Sequence, residues 1–172
     1  AIDIGGSGLR VRISNSENPK EFIDLGHVRA QNTAESMEVF KNLAQSLNEI
    51  IPPYESRAAA LAVAGPISNG RVVLTNWVGD PESRTLVADE LPEILFPRGK
   101  TSFLNDLEAG AYGIIAAEES GILESHFLQM WSHDPKIVKS PKIISPNRTA
   151  VLAMGSGLGV ALIVNSPMLD SP

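Results

Sequence analysis

Three short stretches carry residues whose types and spacing could do chemistry. Residues 6–11 read GSGLRV and residues 155–160 read GSGLGV, nearly the same six letters at the turn between two apolar runs. Glycine lets a backbone approach an anion closely, and clustered N–H groups form an anion nest. Ser7 and Ser156 each add a hydroxyl donor in the same register. The third stretch is FLNDLEAGAYGI at 103–114, where an apolar strand delivers Asn105-Asp106 to the first turn of a helix. A carboxylate placed there feels the positive end of the helix, which favours its ionised form. Beside a phosphate-binding cleft, such a carboxylate can accept the proton of an attacking hydroxyl.

Each stretch also has a plainer explanation. Gly-Ser turns are common in β-rich proteins, and Asn or Asp ahead of a helix is a frequent cap. Asn105 can cap while Asp106 does chemistry, so those two roles are compatible. Asp3, two residues before Gly5, could hold a magnesium ion through water, because magnesium keeps several waters and few protein ligands. It could equally be a strand residue that bonds the turn. Asn76, in LAVAGPISNGRVVLTNW at 61–77, offers a donor and acceptors suited to a sugar hydroxyl, or it is a turn residue.

Other glycine-loop chemistries fail on the letters. No GxxxxGK[ST] string exists, so a Walker loop is excluded. Gly155, Gly157 and Gly159 give only GxGxG, and strand-like residues follow both loops, which argues against a dinucleotide fold. Two strand–glycine–strand hairpins, one at the start of each half, would instead grip one triphosphate from opposite sides.

The elements that must position these residues can be read from periodicity. LRVRIS at 9–14 alternates as a half-buried strand and, with AIDI before the glycines, makes a hairpin. KEFIDLG (20–26) and HVRA (27–30) are weaker strand candidates on the same sheet. A helix follows, capped by Asn32 or Thr33, with Met37, Phe40, Leu43, Leu47 and Ile50 at three- and four-residue steps, ending before Pro52-Pro53. AAALAVAG (58–65) reads as a buried strand, RVVLTN (71–76) as its return, 83–95 as a helix, TSFL (101–104) as a strand and 106–119 as a helix. WSHDPKIVKSPKIISPNRT at 131–149, with three prolines and three lysines, reads as a loop or insertion. AVLAM (150–154) and VALIV (160–164) flank the second glycine turn as strands. The order is that of an α/β protein.

Bulk composition narrows the partners. The 172 residues include 43% apolar and 20% charged side chains, with a net charge of −6 and no cluster of Lys or Arg. Nucleic acid and anionic membranes both need clustered positive charge, so neither is expected. No cysteine is present, which excludes disulfides and thiolate metal sites. The chain begins inside a strand at AIDIGG and stops in a loop at NSPMLDSP, so both ends read as cut and targeting signals stay open.

Taken together, DIGGS (3–7), AGPISNGRVVLTNW (64–77), LNDLEAGAYG (104–113) and MGSGLGVA (154–161) resemble the glucokinases of the hexokinase superfamily, in the bacterial-type group that includes kinetoplastid enzymes. FPRGKTSFLNDLEAG and the lysine-rich insertion look most like the kinetoplastid members. The resemblance implies the ribonuclease H-like, actin-like ATPase fold: a mixed sheet with flanking helices, shared with sugar kinases, actin and heat-shock ATPases. It implies a small domain at 1–105 and the beginning of a large one at 106–172. It also implies ATP-dependent phosphorylation of glucose at the 6-hydroxyl, with Asp106 as general base and Asn105 binding the sugar beside it. Gly5, Gly6 and Ser7 would line the first phosphate loop, Gly155, Ser156 and Gly157 the second, and Asp3 would lie near Mg2+.

The letters also depart from the family pattern. Ser7 and Ser156 stand where members have Thr, Gly8 where many have Asn, and Met154 where many have Gly, Ala or Pro. The Glu-x-x-His segment, a further Glu and the adenine pocket of family members would lie beyond residue 172. His27, His126 and His133 are read as surface or packing residues. A kinase for another sugar, such as an N-acetylated hexosamine, and a catalytically silent sugar-binding regulator remain open alternatives. A homodimer, and a cytoplasmic or glycosome-like (peroxisome-related) location, complete the expectations.

Overall fold

The computed structural model describes residues 1–18, 21–50, 54–128, 148–154 and 158–164. Contacts along the chain divide into two compact units, Ala1–Asp106 and Leu107–Pro172. The first is built on a five-stranded mixed sheet with strand order β3-β2-β1-β4-β8. In chain order its members are β1 (Ile2–Gly5), β2 (Gly8–Ser14), β3 (Phe22–Val28), β4 (Ala59–Val63) and, further on, β8 (Thr101–Asn105). β1, β2 and β3 pair antiparallel as a meander, while β1–β4 and β4–β8 pair parallel. The two weak strand candidates at 20–30 are one strand, β3.

Side chains alternate across this sheet. Ile2, Ile4, Leu9, Val11, Leu61 and Val63 form one buried row, whereas Asp3, Arg10 and Arg12 on the opposite row are exposed. Helix α1 (Thr33–Ile50) covers the apolar row with Phe40, Ala44 and Leu47. Phe40 meets Phe96 edge to face at 4.9 Å between ring centroids, closing the core. Asn32, not Thr33, caps α1: its Oδ1 accepts from the Glu35 N–H at 2.9 Å, and Glu35 reciprocates by accepting from the Gln31 N–H. The Thr33 hydroxyl instead donates to the carbonyls of Ser83 and Thr85, tying the helix start to the loop it packs on.

The helix expected at 83–95 is not formed. Thr85–Val87 is a strand, β7, which pairs antiparallel with β6 (Arg71–Val73), itself paired with β5 (Ile67–Ser68). A single 3-10 turn at Ala88–Glu90 follows, and Leu91 is extended. The cause is Pro92, which has no N–H for a helix and forces its predecessor out of the helical region. Leu86, Leu91, Leu95 and Phe96 still reach the core, but from a strand and turns.

In the second unit, α2 (Asp106–Glu119) continues from β8 and is followed by the short α3 (Leu123–His126). β9 (Arg148–Met154) and β10 (Leu158–Val164) form an antiparallel ribbon registered from Leu158↔Met154 to Val164↔Arg148. Arg148 and Thr149, read as the end of the insertion, therefore belong to β9; residues 131–147 lie outside the described residues. Among the described residues, no helix is long and apolar enough to cross a membrane.

Ser36 is the one fully buried polar side chain among the described residues, and its hydroxyl has no hydrogen-bond partner. An orphaned buried hydroxyl costs about 1–3 kcal/mol. Ser36→Ala is therefore expected to leave the protein as stable or to stabilise it by about 1 kcal/mol, measured by urea unfolding. A loss of stability would mean that the hydroxyl is satisfied.

Candidate active site

Three parallel strands end at the same edge of the five-stranded sheet. Ile4 of β1, Val63 of β4 and Asn105 of β8 lie in one rung. Immediately beyond that rung the chain turns at Gly6-Ser7, at Ala64-Gly65 and at Asp106. The carboxyl edge of parallel strands is where α/β sheets open to ligands. Two inter-strand steps separate β1 from β8, which puts roughly 10 Å between the Ile4 and Asn105 backbones in that rung.

The first glycine turn is a two-residue hairpin loop, because Gly5 pairs with Gly8 across β1 and β2. Among the described residues, the Gly6 and Ser7 N–H groups donate to no protein acceptor. The loop is instead held by its carbonyls. The Trp77 indole donates to the Gly5 carbonyl at 3.3 Å, and the Gln31 side-chain amide donates to the Gly6 carbonyl at 3.1 Å. Both carbonyls are thus held by side chains of the protein.

Asn76 arrives at the same turn from the 64–77 loop. The Thr75 N–H and hydroxyl both donate to the Ala64 carbonyl, and buried Trp77 anchors the following residue. A Cβ on Gly6 would stand 3.0 Å from the Asn76 Cβ, so glycine at this position is what lets the two loops touch. Asn105 is the half-buried last residue of β8, and Asp106 is the exposed first residue of α2. Gly5, Gly6, Ser7, Asn76, Asn105 and Asp106 therefore share one edge of one sheet. Asp3 lies on β1 in the outward row, with Arg10 across one ladder and Ala62 across the other.

Gly155, Ser156 and Gly157 lie outside the described residues. The strand that leaves them is described: a Cβ on Gly159 would overlap the Leu107 side chain, so β10 runs against the first turn of α2. Among the described residues, no group of three or more His, Asp or Glu side chains gathers around a single point.

The glucokinase family model matches residues 1–169. The chain belongs to the glucokinase family. It is 50% identical over 170 residues to glucokinase 1 of Trichomonas vaginalis, covering 99% of this chain and 44% of that protein. It is 31% identical to the glucokinase of Brucella suis, across 95% of this chain and 41% of that one. The crystal structure of the glucokinase from Balamuthia mandrillaris in complex with glucose is similar at a TM-score of 0.86 and 32% identity, over 95% of this chain and 43% of that chain. The Leishmania braziliensis glucokinase is similar at 0.72 and 28%, over 99% and 46%. The chain thus spans less than half the length of these relatives.

Within this glucokinase-family chain, three residues at the turn escape the sequence patterns. Trp77 and Gln31 act through single hydrogen bonds to carbonyls, which no periodicity reveals. His27, read from the letters as surface or packing, brings its Nε2 to 3.4 Å from Ser7 Oγ. Its position across from Arg10 on the strand next to the glycine hairpin was the available signal. His126 is the last residue of α3, and His133 lies outside the described residues.

Proposed function

We propose that this chain carries the first phosphate loop and the catalytic base of an ATP-dependent glucokinase, on the ribonuclease H-like, actin-like fold of that superfamily. The observation that carries the proposal is the shared sheet edge: a loop with two open amides, the Asn76 side chain beside it, and Asn105-Asp106 two strands away. In-line transfer needs a continuous chain of atoms between the base and the phosphate loop. The chain runs from carboxylate to hydroxyl at about 2.7 Å, to phosphorus at about 3–3.5 Å, and on to a loop N–H. The bound glucose in the Balamuthia structure supports glucose as the sugar.

In this reaction the Asp106 carboxylate takes the proton of the 6-hydroxyl as its oxygen attacks the γ-phosphorus of ATP. The new O–P bond forms while the bond to the β–γ bridging oxygen breaks, releasing ADP. Asn105 and Asn76 hold sugar hydroxyls. The Gly6 and Ser7 N–H groups and the Ser7 hydroxyl donate to phosphate oxygens, and Gly155, Ser156 and Gly157 do the same from the second loop. Mg2+, when bound, neutralises phosphate charge. Asp3 sits two residues behind Gly5, about 7 Å along the strand, a span suited to contact through water rather than direct ligation. The boundary near residues 105/106, assembly as a homodimer, and residence in the cytoplasm or a glycosome-like organelle belong to the same proposal. Limited proteolysis, light scattering and imaging of the tagged protein test them.

The deciding assay is ADP release by the full-length gene product with glucose, N-acetylglucosamine or no sugar. Glucose-dependent release is expected. Preference for the N-acetylated sugar would select the sister kinase, and no release with any sugar would select the silent binder. Gly6→Ala should raise KM for both ATP and glucose, because the new methyl meets the Asn76 Cβ at 3.0 Å and crowds the phosphate side of the same turn. A change in only one KM would separate the two loops.

A further inference from the structure

The turn is braced on its Ser7 side by a residue that lies outside both glycine motifs. His27 lies on β3 and pairs with Arg10 across the ladder. Its Nε2 stands 3.4 Å from Ser7 Oγ, at the long end of hydrogen bonding. The approach depends on Gly8, whose φ is +147°; a Cβ there would stand 2.9 Å from the His27 Nε2 and overlap the Val28 carbonyl oxygen. Both partners are exposed, so a ligand can reach them.

A serine hydroxyl has one proton to give, and a neutral imidazole has two tautomers. If Nε2 is bare, Ser7 donates to it and has nothing left for an anion. If Nε2 carries the proton, it donates to Ser7 Oγ, and the hydroxyl proton is free to point at a phosphate oxygen. We infer that His27 is a positioning residue for nucleotide binding, holding the Ser7 hydroxyl with its proton directed at the phosphate. The inference rests on the phosphate-loop function proposed above. Long hydrogen bonds in unliganded sites tighten when the ligand completes them, and the 3.4 Å contact shortens in this way. Among the described residues, Arg10 on β2 pairs with His27, Asp3 lies across from Arg10 on β1, and Arg29 follows just beyond β3. Arg29 is turned to the Gln31 side-chain oxygen at 3.4 Å. Gln31 braces the Gly6 carbonyl, so His27 and Gln31 each hold one residue of the turn.

The test uses the full-length gene product and compares Ser7→Ala, His27→Ala, His27→Gln and the Ser7→Ala/His27→Ala double variant. A single neutral hydrogen bond predicts that His27→Ala raises KM for ATP about three- to tenfold, with kcat and the glucose KM within about twofold. His27→Gln, whose amide donates from a similar reach, should restore most of the loss. The double variant should be no worse than Ser7→Ala alone. In the unsubstituted protein, 15N NMR should show Nε2 of His27 protonated on saturation with a non-hydrolysable ATP analogue. If Ser7→Ala raises KM for ATP and His27→Ala does not, or the two effects multiply, or Nε2 stays unprotonated with the analogue bound, the inference is overturned while the phosphate loop stands. If Ser7→Ala leaves KM for ATP unchanged, the hydroxyl holds no phosphate and the inference is overturned, while the Gly6 and Ser7 N–H groups, which the substitution keeps, still serve the phosphate loop.

Discussion

Asp106→Asn is expected to lower kcat of the full-length gene product by roughly 10²–10⁴-fold, the usual worth of a general base. The amide keeps the size of the carboxylate and can still serve the helix start, but it cannot take a proton. Glucose affinity should change far less, because Asn105 and the 64–77 loop remain. The cap explanation makes the opposite prediction. Asn is as good as Asp at a helix N-terminus, so a variant that lost only a cap would keep its activity. A kcat within a few-fold of the unsubstituted enzyme would reduce Asp106 to the first residue of α2.

Gly8→Ala is expected to be the most destabilising single-methyl addition in the hairpin. At φ +147° the backbone occupies a region that residues with a side chain rarely enter, which costs about 1–3 kcal/mol. The added carbon also meets the Val28 carbonyl oxygen and comes within 3.0 Å of the Arg29 Cα, both backbone atoms that cannot rotate away. Overpacking of this kind adds about another 1–3 kcal/mol. Relief requires β3 to move off β2 at the Leu9↔Val28 pair, which would carry His27 away from Ser7. The midpoint of urea unfolding should fall and KM for ATP should rise together. Unchanged stability would show that the hairpin accommodates a side chain at position 8.

The parts of the site that were legible in the sequence are those written by short-range rules. The hairpin, α1, β4, β8 and the start of α2 follow from alternation, three- and four-residue spacing and caps, whereas the parallel pairing of β1, β4 and β8 that brings Gly6 and Asn105 to one edge is set by the tertiary fold. Residues 83–95 misled because Val87, Leu91, Ile94 and Leu95 mimic a helical face; Pro92 and the pairing of Thr85–Val87 with β6 override that pattern. His27, Gln31 and Trp77 were illegible for a different reason. Each reaches the turn across a strand or from another loop, through one hydrogen bond fixed only by the tertiary fold. Gly8 was noted in the sequence only as a departure; its φ of +147° and the Val28 carbonyl oxygen, which leaves no room for a side chain, are set by the tertiary fold.

The most direct measurement is a crystal structure of the full-length gene product with glucose and a non-hydrolysable ATP analogue. The glucose 6-hydroxyl is expected within about 3 Å of the Asp106 carboxylate, with phosphate oxygens accepting from the Gly6 and Ser7 N–H groups. A sugar bound away from Asp106, or phosphates that leave Gly6 and Ser7 untouched, would contradict the proposed function.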